Sequence, residues 1–151
     1  MVVRNLEGVK VKMLDKTEIN ILIDIYEMDL NNGKRISETD YGFEEISNEG
    51  KKQALAWHLF KLRRLKYISF DENTFITGGW HHPKYNNNVI MYYAENIHIT
   101  EKGILYVDEI RKTVLSKVKD GGIEILGKVY TEIKDLTAKT IAEFFFKLIQ
   151  K

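Results

Sequence analysis

The stretch that most constrains this chain is KKQALAWHLFKLRRLKYI, residues 51–68. At about 100° per residue, Ala54, Leu55, His58, Leu59, Leu62 and Leu65 share one arc, so the stretch reads as a helix with a single buried face. Trp57, Phe60, Lys61 and Arg64 occupy the remaining surface, with Gln53 between them. Positions 51–66 hold Lys51, Lys52, Lys61, Arg63, Arg64 and Lys66 and no acid, a local charge of +6 in a chain whose formal net charge is +1. The preceding segment, 31–50, sums to −3, with Lys34 and Arg35 against Glu38, Asp40, Glu44, Glu45 and Glu49. Charge is therefore segregated along the chain, and a cationic face carrying amide and aromatic groups suits a phosphate-lined groove. The plain alternative is a solvated basic face on a core helix. The aromatic pair outside the apolar arc is what sets this helix apart.

With 151 residues the chain makes one domain of typical size, or a small domain with an appendage. It has no cysteine, so neither a disulfide framework nor a thiolate metal site is available, and a reducing compartment is compatible. No apolar run approaches the roughly 18 residues of a membrane span. The start, MVVRNLEGVKVK, lacks the apolar core of a signal peptide. A cytoplasmic protein with no membrane partner is expected.

Residues 1–14 read as an N-terminal arm or short strand, from the alternation of Val9, Lys10, Val11, Lys12 and Met13. Residues 15–30 read as a helix opened by an Asp15-x-x-Glu18 capping box. Ile19, Leu22, Ile23, Tyr26 and Leu30 line one side of it, and Ile21, Ile25 and Met28 the other, which predicts a helix covered on both sides. Asn31-Asn32-Gly33 ends it. Within the acidic connection 36–46, Ser37–Asp40 are expected to form one helical turn, a reduced second helix. Ser47 or Asn48 then caps the central helix, with Glu49 near its positive end.

Residues 67–70 open a hairpin whose return strand is 88–93. The intervening TGGWHHPKYNNN has the composition of a long tip loop. Its Trp80, His81, His82, Lys84 and Tyr85 suit contact with a nucleic-acid backbone or minor groove; the alternative is a plain surface loop. Adjacent residues of a strand face opposite ways, so His81 and His82 do not make a metal site, and no third ligand stands at a recognisable spacing. His58 lies inside the apolar arc and reads as a buried core histidine. His98 reads as structural. Thr100 caps a helix running to about residue 119, with Leu105, Val107, Ile110, Val114 and Val118 on its apolar side. After Asp120-Gly121-Gly122, residues 123–149 read as one long amphipathic helix of about 40 Å. Three consecutive phenylalanines, 144–146, cannot all face one core, and the near-heptad spacing calls for a partner helix.

ISETDYGF (36–43), HLFKLRRLKYI (58–68) and ITEKGILYVDEIR (99–111), taken in that order, resemble winged helix-turn-helix proteins. More narrowly, they are similar to the small Firmicute and prophage families of the YjcQ type. The resemblance covers about residues 15–120. It implies an α+β winged helix-turn-helix, a three-helix core plus a β-hairpin wing over 15–119, here followed by the amphipathic helix of 123–151. It also implies a DNA-binding transcriptional regulator of phage or mobile-element type, acting on double-stranded DNA as a homodimer formed through the C-terminal and first helices. On that expectation Gln53, Trp57, Lys61 and Arg64 face the major groove, while Lys51, Lys52, Arg63 and Lys84 hold phosphates. The alternative is a winged-helix protein-interaction module anchored by Trp57 and Phe60. With no Gly-rich phosphate loop, nucleophile elbow or spaced metal cluster, neither an enzyme nor a cofactor is expected.

Overall fold

A computed structural model describes residues 2–6, 9–12 and 14–149, with side chains from Leu14 onward. Residues 1, 7, 8 and 13 of the expected arm and residues 150–151 of the expected C-terminal helix lie outside the described residues. Among the described residues the fold is α+β, with four α-helices and small antiparallel hairpins: β1 (Val2–Leu6), β2 (Val9–Lys12), α1 (Lys16–Leu30), α2 (Asn48–Arg64), β3 (Ile68–Ser69), β4 (Phe75–His82), β5 (Asn87–Tyr92), β6 (His98–Ile99), α3 (Glu101–Lys119), β7 (Ile123–Ile125), β8 (Lys128–Tyr130) and α4 (Ala138–Ile149). Two compact units emerge, one from Met1–Asn20 with Asp108–Lys151, the other from Ile21–Val107, and the division falls inside α1 and inside α3. Among the described residues no helix is long and apolar enough to cross a membrane.

In the unit formed by the two chain ends, β1 and β2 pair antiparallel. The capping box that opens α1 is complete: Asp15 Oδ1 accepts from the Glu18 N–H at 2.8 Å, and Glu18 Oε1 accepts from the Asp15 N–H at 3.0 Å. Ile110, Val114 and Val118 of α3 are buried, as their spacing predicts. The single helix expected over 123–149 is not there. Ile123–Ile125 and Lys128–Tyr130 form a hairpin instead, joined by Leu126 and Gly127, both at positive φ. Two residues with φ > 0 make the turn whose twist matches paired strands, and Gly127 inside a helix would cost about 1 kcal/mol. Helix is confined to a short 3-10 turn at Ile133–Asp135 and to α4, 12 residues or about 18 Å. Of the long helix through which a homodimer was expected to form, only α4 is present. Thr137 starts α4, its Oγ1 accepting from the Thr140 N–H at 3.2 Å. Of the three phenylalanines, Phe145 is buried with Ile141 and Ala142, and its two neighbours are half-exposed.

The second unit is built around α2. Ile21, Leu22, Ile23 and Ile25 of α1 are fully buried, so that helix is covered on both sides, although Leu30 at its end is exposed. The exit from α1 needs glycine: a Cβ at Gly33 would stand 2.9 Å from the Glu27 carbonyl carbon, because the Gly33 N–H folds back to the Glu27 oxygen. The turn expected at Ser37–Asp40 forms, with the Asp40 N–H donating to the Ser37 carbonyl at 3.1 Å, but it is not continued into a helix. Ser37 spends its hydroxyl on Thr39, which competes with helix formation. Glu38 is drawn to the Tyr92 hydroxyl, which donates to Oε1 at 2.6 Å, and Tyr41 donates to Asp24 at 2.8 Å. Side chains pin the segment on either side of this single turn, and what was expected as a reduced second helix goes no further than that turn.

Ser47 caps α2, its hydroxyl accepting from the Gly50 N–H at 2.9 Å. Ala54, Leu55, Leu59 and Leu62 are buried, as the helical arc requires. The far end closes with the Tyr67 N–H on the Leu62 carbonyl and the Lys66 N–H on the Arg63 carbonyl. That pattern puts Lys66 in the left-handed position (φ +70) usually given to glycine. The strand pairing differs from the expected hairpin. β3 pairs with β6, matching Ile68 with Ile99, while the glycine-rich stretch read as a loop is mostly strand β4, paired with β5. Only residues 83–86 turn.

α3 begins where Thr100 Oγ1 accepts from the Gly103 N–H at 3.1 Å. Its first turn also closes the end of α2. The Lys66 carbonyl accepts from the Thr100 hydroxyl at 2.6 Å, the Tyr67 carbonyl from the Thr100 N–H at 3.1 Å, and the Leu65 carbonyl from Lys102 Nζ at 2.9 Å. Within this unit α3 buries Tyr106 and Val107, whereas Leu105 is exposed and lies off the apolar side assigned to it.

Candidate nucleic-acid interface

The outward face of α2 is narrower than its sequence suggests, because the β4–β5 hairpin folds back over the first half of the helix. Gln53 is 0% exposed, and its Nε2 donates to the Trp80 carbonyl at 2.8 Å. Asn87 Nδ2 donates to the Gln53 carbonyl at 3.0 Å, and Val89 is fully buried. Gln53, expected to meet a base edge, therefore bolts the hairpin to the helix. The cause lies in β4. Between the pairs Thr77↔Val89 and His82↔Asn87, residues 78–81 stand against residue 88 alone. Gly78 and Gly79 at positive φ let the strand bow by this much, and the bow brings the Trp80 carbonyl onto α2.

What stays outward is a strip at i, i+4 and i+7, namely Trp57, Lys61 and Arg64. Trp57 is 38% exposed, Lys61 half-buried and Arg64 exposed. The hairpin tip adds to it. The Tyr85 ring lies 6.2 Å from the Trp57 ring, Lys84 Nζ stands 5.2 Å over Tyr85, and Lys61 Nζ stands 5.8 Å over Trp57. A row results, Lys84–Tyr85–Trp57–Lys61, with Arg64 about one helical turn beyond. Cations over aromatic faces attract the rings and are attracted by anything negative that approaches.

The row brings together five of the expected residues and leaves out the others. Lys51 and Lys52, both half-buried, lie about 120° and 140° around the helix from Trp57, and Lys52 Nζ is directed at the Ile90 carbonyl, 3.5 Å away. Arg63 turns to Phe70, with its guanidinium 4.6 Å from the ring and Nη1 donating to the Phe70 carbonyl at 3.3 Å. Phe60 joins Phe70 and Phe75 in an aromatic cluster, with ring centres 4.8–5.9 Å apart, and so is no surface anchor.

His82, expected on the wing surface, is buried and holds the tip together. Its Nδ1 accepts from the Lys84 and Tyr85 N–H groups at 3.1 and 3.3 Å, so the proton sits on Nε2, which donates to Glu45 at 3.1 Å. The neighbouring His81 is exposed on the opposite face, as strand alternation requires. The Trp80 and Tyr85 rings flank His82 at 4.9 and 4.8 Å. Trp57 is backed by His58, 4.9 Å away edge-on, which in turn stacks on Phe43 at 5.4 Å. His98 bonds Asp29 at 3.0 Å, and the other Asp29 oxygen accepts from the Ile99 N–H. Sequence reading missed Glu45, Phe43 and Asn87, whose partners lie 15 to 37 positions away and leave no local pattern. No protein-family model, curated protein or solved structure matches this chain, so the winged-helix resemblance rests on the motifs quoted above.

Proposed function

We propose that this chain is a DNA-binding regulator of winged helix-turn-helix type, with α2 as the central helix and β4–β5 as a wing folded against it. One observation carries the reading. An outward strip of α2 combines Trp57, Lys61 and Arg64, and the hairpin tip extends it with Lys84 and Tyr85. Lys66, exposed just past the helix, adds charge at the same end. Binding in this reading is backbone-led: Lys61, Arg64, Lys66 and Lys84 meet phosphates, and Gln53 reads no base. Four phosphate contacts give a log–log dependence of affinity on salt with a slope of about −3.6. Fluorescence anisotropy with a random-sequence duplex tests this, and Arg64→Ala is expected to weaken binding and flatten the slope by about one. A slope near zero would refute the reading, as would no binding at about 100 mM salt.

A second reading, a protein-interaction module, is favoured by a different surface. Ile76 and Met91 pair across the hairpin at 38% and 46% exposure, and Ile90, next along the strand, is 39% exposed. Met91 also lines an open cleft of about 410 Å³ with Arg35, Lys52 and Tyr93. Loss of a protein partner on Met91→Ser, with DNA affinity absent in the parent protein, decides for this reading.

A further inference from the structure

We infer that the Trp57–Tyr85 step is a stacking platform for an unpaired nucleotide, so that the strip prefers single-stranded or locally melted nucleic acid to a fully paired duplex. This rests on the proposed nucleic-acid reading and names the form of nucleic acid that the site takes.

Three features of the row support it. First, the surface is short. The Trp57-to-Arg64 strip spans about 10 Å, and the hairpin, pinned to Gln53 through Trp80 and Asn87 with its own Val89 buried, stops the first turns of α2 from entering a groove. Second, the row offers aromatic rings, Trp57 exposed and Tyr85 half-buried. A paired base hides its faces in the stack and shows only edges, whereas an unpaired base has a face to lay on an indole. Third, the flanking charges select the ligand. Lys84 lies over Tyr85 and Lys61 over Trp57, so a cationic ligand is repelled. A π-system joined to negative charge on both sides is attracted, and that is the chemistry of a nucleotide within a strand. The Trp57 and Tyr85 rings, 6.2 Å apart and tilted by 59°, are too close and too inclined to clasp a base between them. The base therefore lies on the outer indole face, and the Lys61 ammonium swings on its flexible stem to the adjoining phosphate. The backing by His58 and Phe43 holds the indole in place, so little ordering cost accompanies binding.

The chain has two tryptophans, so in Trp80→Phe protein the selectively excited tryptophan fluorescence reports Trp57 alone. The probes are oligo(dT) and oligo(rU) of about a dozen nucleotides and a random duplex of equal length. The expected result is quenching of Trp57 by the single strands and binding about tenfold tighter than to the duplex. In full-length protein, Trp57→Ala is expected to lose about tenfold on the single strand alone, the order of one stacked base, and Trp57→Phe to recover most of it. Tighter binding of oligo(dT) than of oligo(rU) assigns the strand to DNA, and the reverse order assigns it to RNA; both uphold the platform. Duplex binding with no quenching by single strands, or with an equal Trp57→Ala loss on both forms, overturns this inference and leaves the proposed function standing. Binding of neither form overturns both.

Discussion

Gly103→Ala tests how α3 is seated on the end of α2, because two effects of known size oppose each other there. Alanine is the better helix former by about 1 kcal/mol. Against that, a Cβ at Gly103 would stand 2.2 Å from the Tyr67 oxygen and 2.7 Å from Ile99 Cγ1. Relief requires a separation of about 1 Å, and the obstacle is backbone. The Tyr67 carbonyl is held by the Thr100 N–H at 3.1 Å, and the adjoining Lys66 carbonyl by the Thr100 hydroxyl at 2.6 Å. Overpacking of this kind costs about 1–3 kcal/mol, and the two loosened hydrogen bonds add about 1 kcal/mol each. The steric term wins, for a net loss of about 2–4 kcal/mol, or a melting temperature lower by roughly 5–15 °C for a chain of this size. Urea unfolding followed by circular dichroism measures it. A variant as stable as the parent, or more so, would refute the reasoning and show that α3 is not seated on the Tyr67 carbonyl.

Lys66→Gly is expected to stabilise the protein by about 0.5–1 kcal/mol in the same urea assay, since glycine takes the left-handed position at no steric cost; a loss of stability would count against that assignment. His82→Ala removes the acceptor for two turn N–H groups and the partner of Glu45, an expected cost of about 2–4 kcal/mol. Glu45→Gln keeps an acceptor for Nε2–H and is expected to stay within about 1 kcal/mol of the parent; equal losses in both would show that the pair acts through charge instead. Burial holds the phenols of Tyr67, Tyr92 and Tyr41 protonated, with Glu38 adding to the effect at Tyr92 and Asp24 at Tyr41; Tyr67 is pushed up to about 12 from 10.0. A folded-state pKa raised in this way gives stability that is complete below about 10 and is lost as pH rises through the raised value. Alkaline unfolding above pH 10, with the last part of the phenolate absorbance of the eight tyrosines appearing together with loss of ellipticity, is the expected result; complete phenolate formation while the ellipticity is intact would contradict it.

The sequence alone determined whatever is settled within about four residues. The Asp15–Glu18 box, the Ser47 cap, the Thr100 start and the breaks at Gly33 and Gly121-Gly122 were all legible, because the interacting groups are near neighbours along the chain. So was the buried arc of α2. The outward face of that helix was not legible. Gln53 carries the same polar amide whether it faces solvent or a hairpin, and only the pairing of residues 75–82 with 87–92 decided which. The glycines at 78 and 79 have the composition of a loop, yet a bowed strand needs the same φ freedom as a turn. Residues 123–149 show the same limit, since short apolar spacings fit a helix and a hairpin alike until Leu126 and Gly127 adopt positive φ together. Of the candidate interface, the cations and Trp57 could be read off the chain. Their assembly with Lys84 and Tyr85 into one row could not, because strand pairing and helix coverage depend on partners tens of residues away, and the cost or gain of burying a group is set by what arrives on top of it.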